Sequence, residues 1–450
     1  MRTRFHGLTL CVALSASISL LTSGTAVLAE EKTEQPTQEQ TTKQENTEKQ
    51  FTEKNLESDV LPNKDIDNGI SASELLNALR ATAEDQTPED LTPVDVPEEL
   101  KNVFKGKATI ENKQLPPEFS DENWRELITE FNKKNPGRVE EVTAYSPSME
   151  REIPLVLIKA SKPHRPTIYL MNGAGGGEQA VNWIERTDAM EFYTERDVNV
   201  VIPMRGAFSY YTDWITEPQG NEYLKGKQYW ETFLSKELPE PIEDYLKANG
   251  QRGIIGMSMS ATSSILIAEH NPGFYNAVGS FSGCVATARP LPRLYVNSVL
   301  KGDGVTPEQM WGTPDSEVSK YNDGIINAEG LRGSEIYVAN ASGLISQEEM
   351  FNKLYQEEGE TISQTLITSS VLAVEGGVIE AASNACTHHF KTKLDKLGIP
   401  ADFNFRPTGI HTWTYWERDL RASWPTFARA FGLENEPLSE KDQKIAESSS

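Results

Sequence analysis

The residues best suited to do chemistry lie at Gly256-Met257-Ser258-Met259-Ser260, where an apolar run, Gly253 to Ile255, gives way to a helical pattern. A serine hydroxyl is a poor nucleophile at neutral pH unless it is held exposed beside a base. A sharp strand-to-helix turn supplies the exposure, and small residues two before and two after the serine, here Gly256 and Ser260, let the backbone fold tightly. Gly-x-Ser-x-Ser also arises by chance in long chains, where it makes an ordinary turn. The partners decide: a nucleophilic serine needs a histidine to take its proton and a carboxylate to orient that histidine.

Six histidines are few enough to screen. His6 falls in an N-terminal apolar segment, and His164 sits in a connector before a strand. His270 ends the helical pattern that begins at Ser258, where a histidine satisfied by the helix terminus is sufficient explanation. His388 and His389 are adjacent on a helical pattern, so at most one could face a site. His411, in Gly409-Ile410-His411-Thr412-Trp413, follows the last candidate strand, which gives the chain order serine, acid, histidine. The acid then falls between Ser258 and His411. Glu348, Glu349, Glu357, Glu358, Glu360, Glu375 and Glu380 all satisfy that order, most as solvated surface charges, and pattern alone does not choose among them.

A second loop, Asn172-Gly173-Ala174-Gly175-Gly176-Gly177, follows an early strand. The oxyanion formed during acyl transfer needs two backbone donors, one from the residue after the nucleophile, here Met259, and one from such a loop. Ala174 is the candidate for the second. A glycine-rich loop can also cradle phosphate, but the Gly-Lys-Ser/Thr ending of that motif is missing.

The elements that must hold these residues are runs at Ile153 to Ile158, Thr167 to Met171, Val198 to Ile202, Gly253 to Ile255, Ala277 to Phe281, Glu335 to Val338 and Ala401 to Phe405. Helical stretches separate most of them, which predicts an α/β protein with a mostly parallel sheet flanked by helices. Functional groups in such a sheet gather at the carboxyl ends of the strands, where Ser258 and the Asn172 loop both fall.

Upstream, Arg2 and Arg4 precede an apolar run from Leu8 to Leu21 and small residues at Val27-Leu28-Ala29, so residues 1–29 read as a secretory signal peptide. Residues 30–69 are acidic and polar, too poor in large apolar side chains to order themselves, and read as a disordered tether. Residues 70–135 form an extension with helical patterns at Ser71 to Ala83 and Asn123 to Phe131, either packed on the catalytic domain or loosely ordered. The catalytic domain spans 136–434, and a polar tail over 435–450 is expected to fray. A formal charge of −24 excludes a nucleic-acid backbone as partner. Export leaves Cys284 and Cys386 as the mature cysteines, either bridged or as two buried thiols.

From about residue 140 to 433 the chain resembles the secreted mycolyltransferases of mycolic-acid bacteria, the antigen-eighty-five type and its corynomycolyltransferase relatives. The resemblance rests on Ser146-Pro147-Ser148-Met149, Phe208-Ser209-Tyr210-Tyr211-Thr212-Asp213-Trp214, Trp230-Glu231-Thr232-Phe233-Leu234 with Glu237-Leu238-Pro239, the Ser258 pentapeptide, Met310-Trp311-Gly312 and Gly409 to Trp416. It implies an α/β-hydrolase fold and a Ser-Glu-His triad. Ser258 then corresponds to the nucleophile and His411 to the base. The family acid stands ten residues before a phenylalanine, which selects Glu380 with Phe390, with Glu375 next. Asn172 and Gly175 occupy places where mycobacterial members carry an Asp and an Arg that hold trehalose. The resemblance therefore implies a sugar site lined by Asn172, Gly173, Gly175 and Trp413, in which Asn172 keeps a polar contact and Gly175 cannot replace the Arg. Packing beside His411 would also account for Trp413. The activity implied is transfer of a mycolyl group from trehalose monomycolate to a second trehalose monomycolate, an arabinan chain or an envelope protein, with peripheral contact to envelope lipid. No metal or organic cofactor is implied. A carboxylesterase of the same fold, or an envelope binding protein that has lost catalysis, are the other readings.

Overall fold

Aliphatic and β-branched runs bounded by Gly, Pro and Asn form the strands of one sheet. A computed structural model describes residues 92–117, 123–346 and 376–447, with single positions between Glu74 and Ala81. The signal segment, the tether, most of the Ser71 to Ala83 pattern and the glutamates Glu348, Glu349, Glu357, Glu358, Glu360 and Glu375 lie outside the described residues.

Among the described residues there are nine strands: β1 (Thr109–Glu111), β2 (Val139–Ser146), β3 (Arg151–Ile158), β4 (Thr167–Leu170), β5 (Asn199–Pro203), β6 (Arg252–Met257), β7 (Ala277–Phe281), β8 (Glu335–Ala341) and β9 (Asp402–Arg406). Their order is β1-β2-β3-β5-β4-β6-β7-β8-β9. Pairing is parallel from β5 through β4 to β9 and antiparallel among β1, β2, β3 and β5. This is the α/β-hydrolase sheet.

All seven expected strands are present, within a few residues at their ends. β1 and β2 were not expected. In β2 the acidic pair Glu140-Glu141 breaks the apolar pattern, yet Glu141 is buried because Arg125 grips its carboxylate through Nε and Nη2, both at 2.8 Å. A charge neutralised by a partner sixteen residues away is invisible to hydropathy.

Alternation along the strands divides two cores. Leu155, Leu157, Tyr169, Val201 and Ile254 face one side; Val156, Ile158, Ile168, Val200 and Ile255 face the other. On the second side α1 (Trp124–Lys134) buries Trp124, Ile128 and Phe131, spaced as one helical face. The long C-terminal helix, Trp413–Phe431, buries Trp416, Leu420, Trp424, Phe427 and Phe431 there as well. The helix after β6, Met259–His270, is buried from Met259 through Glu269. Among the described residues no helix is long and apolar enough to cross a membrane.

The segments flanking the catalytic domain are both attached to it. The described part of the 70–135 extension packs on the domain: Leu100, Val103 and Ala108 are buried, β1 pairs with β2, and Ala108 donates its amide to the Glu237 carbonyl at 3.0 Å. The described part of the tail, as far as Glu447, is ordered, where fraying was expected. A helix at Glu440–Glu447 docks through Asp442, which is 2% exposed and accepts from Arg421 Nε at 2.7 Å, while Arg165 binds both Glu436 oxygens and Arg196 donates to the Pro437 carbonyl. The tail is polar because ionic contacts fasten it. Removing one partner of a buried pair costs about 3 kcal/mol, so Asp442→Ala is expected to lower the unfolding free energy by about that amount in denaturant melts; an unchanged midpoint would show that the tail contributes nothing to the fold.

Candidate active site

Ser258 follows β6 with φ 55° and ψ −122°, a conformation that a non-glycine residue adopts only under constraint. The constraint is local. Any Cβ at Gly256 would stand 1.9 Å from the Ser260 carbonyl oxygen, so only glycine lets the chain turn back so closely. Ser260 closes the turn by accepting from the Met257 amide at 3.0 Å, and the Ser258 amide is tied to the Phe281 carbonyl at 2.9 Å. Ser258 is left half-buried at the N-terminus of the helix, whose first amides have no intrahelical acceptor.

His411 lies in the loop between β9 and the C-terminal helix. Gly409, at φ 122°, lets that loop pass against Ala341, and the His411 amide donates to the Gly376 carbonyl at 3.2 Å. Its Nε2 is 2.8 Å from Ser258 Oγ and its Nδ1 is 2.9 Å from Glu380 Oε2. An ionised carboxylate only accepts, so Nδ1 carries the proton and Nε2 is left to accept from the serine. Trp416 packs edge-on against the imidazole, ring centres 4.9 Å apart.

Glu380 sits in the first turn of the helix Gly377–Leu397, fully buried. Burial by itself would push its carboxyl upward; the His411 bond, the Ala341 amide at 2.6 Å and the Arg406 guanidinium outweigh it, and the group lies below the usual carboxylate range. The remaining oxygen, Oε1, also receives the Ser282 hydroxyl at 2.9 Å. The structure thus brings together Ser258, His411 and Glu380, whose positions span 122 residues of sequence between Ser258 and Glu380 alone.

The glycine-rich loop lies against the serine turn. A Cβ at Gly173 would fall 2.6 Å from Met257 Sδ and 3.6 Å from Ser258 Cβ. Among the described residues the Ala174 amide has no backbone acceptor, and Met259, first in its helix, has none within the helix. Asn172 differs from expectation. It is fully buried, with Nδ2 donating to the Pro203 carbonyl at 3.0 Å and Oδ1 accepting from the Trp183 amide at 3.2 Å, so its polar atoms hold the loop. Gly173 and Gly175 are buried as well, and a side chain at Gly175 would meet Gln179 and Val181. Trp413 is half-buried, edge-on to Trp183 at 5.3 Å and Trp416 at 5.2 Å, in an aromatic row that ends on His411.

His270 stands at the far end of the helix from Ser258, about 17 Å along its axis. Its Nδ1 meets Glu231 at 2.9 Å and its Nε2 donates to the Tyr321 carbonyl at 2.6 Å. Nearby Asp213, fully buried and beside the Glu231 charge, is pushed up to about 7. A carboxyl whose folded pKa is raised holds its proton more tightly in the folded state. Its stabilisation is complete below the unfolded value, near 4, and is lost as pH rises towards 7. Unfolding free energies between pH 5 and 7.5 are therefore expected to fall less steeply in Asp213→Asn than in the parent; parallel slopes would contradict the assignment.

Cys284 and Cys386 form a disulfide with Cα atoms 5.1 Å apart across a separation of 102 residues. It joins the loop after β7 to the helix that carries Glu380. Closing a loop of that length stabilises by about 5 kcal/mol in the chain-entropy treatment. Cys386→Ser is expected to lose a comparable amount and to lower turnover along with it; a variant of unchanged stability would show that the bridge does not stabilise the fold.

Residues 146–427 match the family described as "Putative esterase". The chain belongs to that esterase family. Similar curated proteins include the diacylglycerol acyltransferase/mycolyltransferase Ag85A of Mycobacterium tuberculosis, 27% identical over 299 residues, covering 65% of this chain and 82% of the relative. The Ag85B protein of Mycolicibacterium smegmatis is 28% identical over 305 residues, 65% of this chain and 86% of that one. Among solved structures, Mycobacterium tuberculosis MPT51 aligns at 22% identity with a TM-score of 0.49, covering 64% of this chain and 96% of its own. This esterase-family chain has its hydrogen-bonded serine, histidine and glutamate within the matched segment.

Proposed function

We propose that the protein is a serine acyltransferase acting through a covalent acyl-enzyme. The observation that carries this reading is the unbroken line Ser258 Oγ, His411 Nε2, His411 Nδ1, Glu380 Oε2, with both links under 3 Å, at a strained turn of an esterase-family fold. Ser258 Oγ attacks the carbonyl carbon of an ester while its proton passes to His411 Nε2. Glu380 orients the ring and stabilises the imidazolium. The amides of Met259 and Ala174 receive the oxyanion, each such donor contributing about 3 kcal/mol to the transition state. The C–O bond to the leaving alcohol then breaks, and that alcohol takes the proton from His411. A second hydroxyl, deprotonated by His411, attacks the acyl-serine and restores the enzyme.

The relatives named mycolyltransferases support a mycolyl ester as donor; trehalose as its alcohol is what the family resemblance implies. Trehalose monomycolate, an arabinan chain or an envelope protein would be the acceptor, with the enzyme exported by residues 1–29, spaced by the tether of residues 30–69 and in peripheral contact with envelope lipid. Trp413 is the aromatic that would meet the sugar. A carboxylesterase would use the same residues and differ only in passing the acyl group to water, so transfer requires an acceptor positioned better than water.

With a trehalose monoester as donor, the purified protein is expected to give trehalose diester in excess over free acid, and Ser258→Ala to fall by about 10⁴-fold or more. Glu380→Gln is expected to lose about 10³-fold to 10⁴-fold in kcat, since the imidazole loses its orienting acceptor. Free acid as the sole product would assign the protein to hydrolysis, and an active Ser258→Ala would dismiss the nucleophile.

A further inference from the structure

Glu380 keeps one oxygen, Oε2, for His411, so the placement of that bond depends on what holds Oε1. The Ala341 amide holds it at 2.6 Å from the end of β8. Asn340 Nδ2 reaches it only at 3.5 Å, and the other close donor is a side chain from a different strand, Ser282, directly after β7, at 2.9 Å. Ser282 is itself buried and has φ 59°, in the left-handed region that glycine occupies freely and serine does not. Its own amide is fixed to the Ala339 carbonyl at 2.8 Å. A serine kept where glycine would relieve strain calls for a use of its hydroxyl, because such conformations cost about 1 kcal/mol or more.

The hydroxyl's direction is determined by its neighbours. Trp416 Nε1 reaches Ser282 Oγ at 3.1 Å and can only donate; the Glu380 carboxylate can only accept. Ser282 must therefore accept from the indole and give its proton to Glu380. The same indole ring lies edge-on to His411. One hydroxyl thus connects both members of the acid–base pair: directly to the acid, and through Trp416 to the ring of the base. Two residues further on, Cys284 is bridged to the helix of Glu380, so the loop carrying Ser282 has a covalent attachment beside its hydrogen bond.

We infer that Ser282 is a positioning residue for the triad: donating to Glu380 Oε1 while accepting from Trp416, it fixes the rotation of the carboxylate and the seat of the imidazole. It touches neither substrate nor oxyanion. The inference rests on the proposed roles of Ser258, His411 and Glu380.

The test uses Ser282→Gly and Ser282→Ala in the full chain, with a p-nitrophenyl ester as substrate. Glycine removes the hydroxyl and also the backbone strain, so loss of activity in a Ser282→Gly variant that melts no lower than the parent cannot be assigned to misfolding. Both variants are expected to lose about tenfold or more in kcat, the equivalent of one hydrogen bond to a charged group, with KM unchanged within about twofold. In the resting protein the low-field proton resonance of His411 Nδ1 is expected to shift or to be lost by exchange. Trp416→Phe, which keeps the ring on His411 but removes the indole donor, is expected to show a smaller effect in the same direction. Wild-type kcat together with an unchanged Nδ1 resonance in Ser282→Gly would overturn the inference. Failure of the parent protein to react with a fluorophosphonate at Ser258 would instead strike the triad itself, an outcome that the Ser282 variants cannot produce.

Discussion

A carboxylate with no access to water stays ionised only where donors claim its lone pairs, and Glu380 meets that condition at full burial. Its donors come from three places: the end of β8 through Ala341, the end of β7 through Ser282, and the loop after β9 through His411. Each needs the others in register. The parallel pairing of β7 with β8 and β8 with β9 supplies that register, since the three strands end side by side at their carboxyl ends. The site is thus a property of the sheet edge more than of any one loop.

Around that carboxylate the protein tolerates local strain. Ser258 and Ser282, at the ends of the neighbouring strands β6 and β7, both have positive φ, and each is tied by its amide to a carbonyl of the next strand, Phe281 for Ser258 and Ala339 for Ser282. Successive strand ends are therefore laced together, each turn fixed by the strand beyond it. The disulfide, the Asn172 cradle and the aromatic row of Trp183, Trp413 and Trp416 extend this fixing outward from the site. Such fixing suits a reaction whose rate depends on donors already aimed at developing charge.

Much of this was legible in the sequence, and the exceptions have physical causes. The seven strands on which the expected site rests follow from apolar runs, and the serine turn from its small residues, because each is a local property. His411 followed from elimination and chain order. Glu380 did not follow from the residues, since a glutamate that is buried and one that is solvated look alike until the fold supplies donors; family resemblance selected it. β2 was hidden by Glu141, whose charge Arg125 neutralises from another element. Asn172, expected at a sugar, turned inward because the loop after β4 needs both a donor and an acceptor at its base. The tail looked unstructured because ionic anchors such as Asp442 with Arg421 carry no hydrophobic signal. Ser282 had no signal beyond being a polar residue at a strand end.

Peptide mapping by mass spectrometry of protein quenched during turnover of a trehalose acyl ester addresses the covalent step most directly. The acyl group is expected on the peptide containing Ser258 and nowhere else, accumulating further in Glu380→Gln if loss of the acid slows deacylation more than acylation, and absent from Ser258→Ala. Acyl groups on another residue, or turnover by protein in which Ser258 never carries one, would contradict a reaction through this serine.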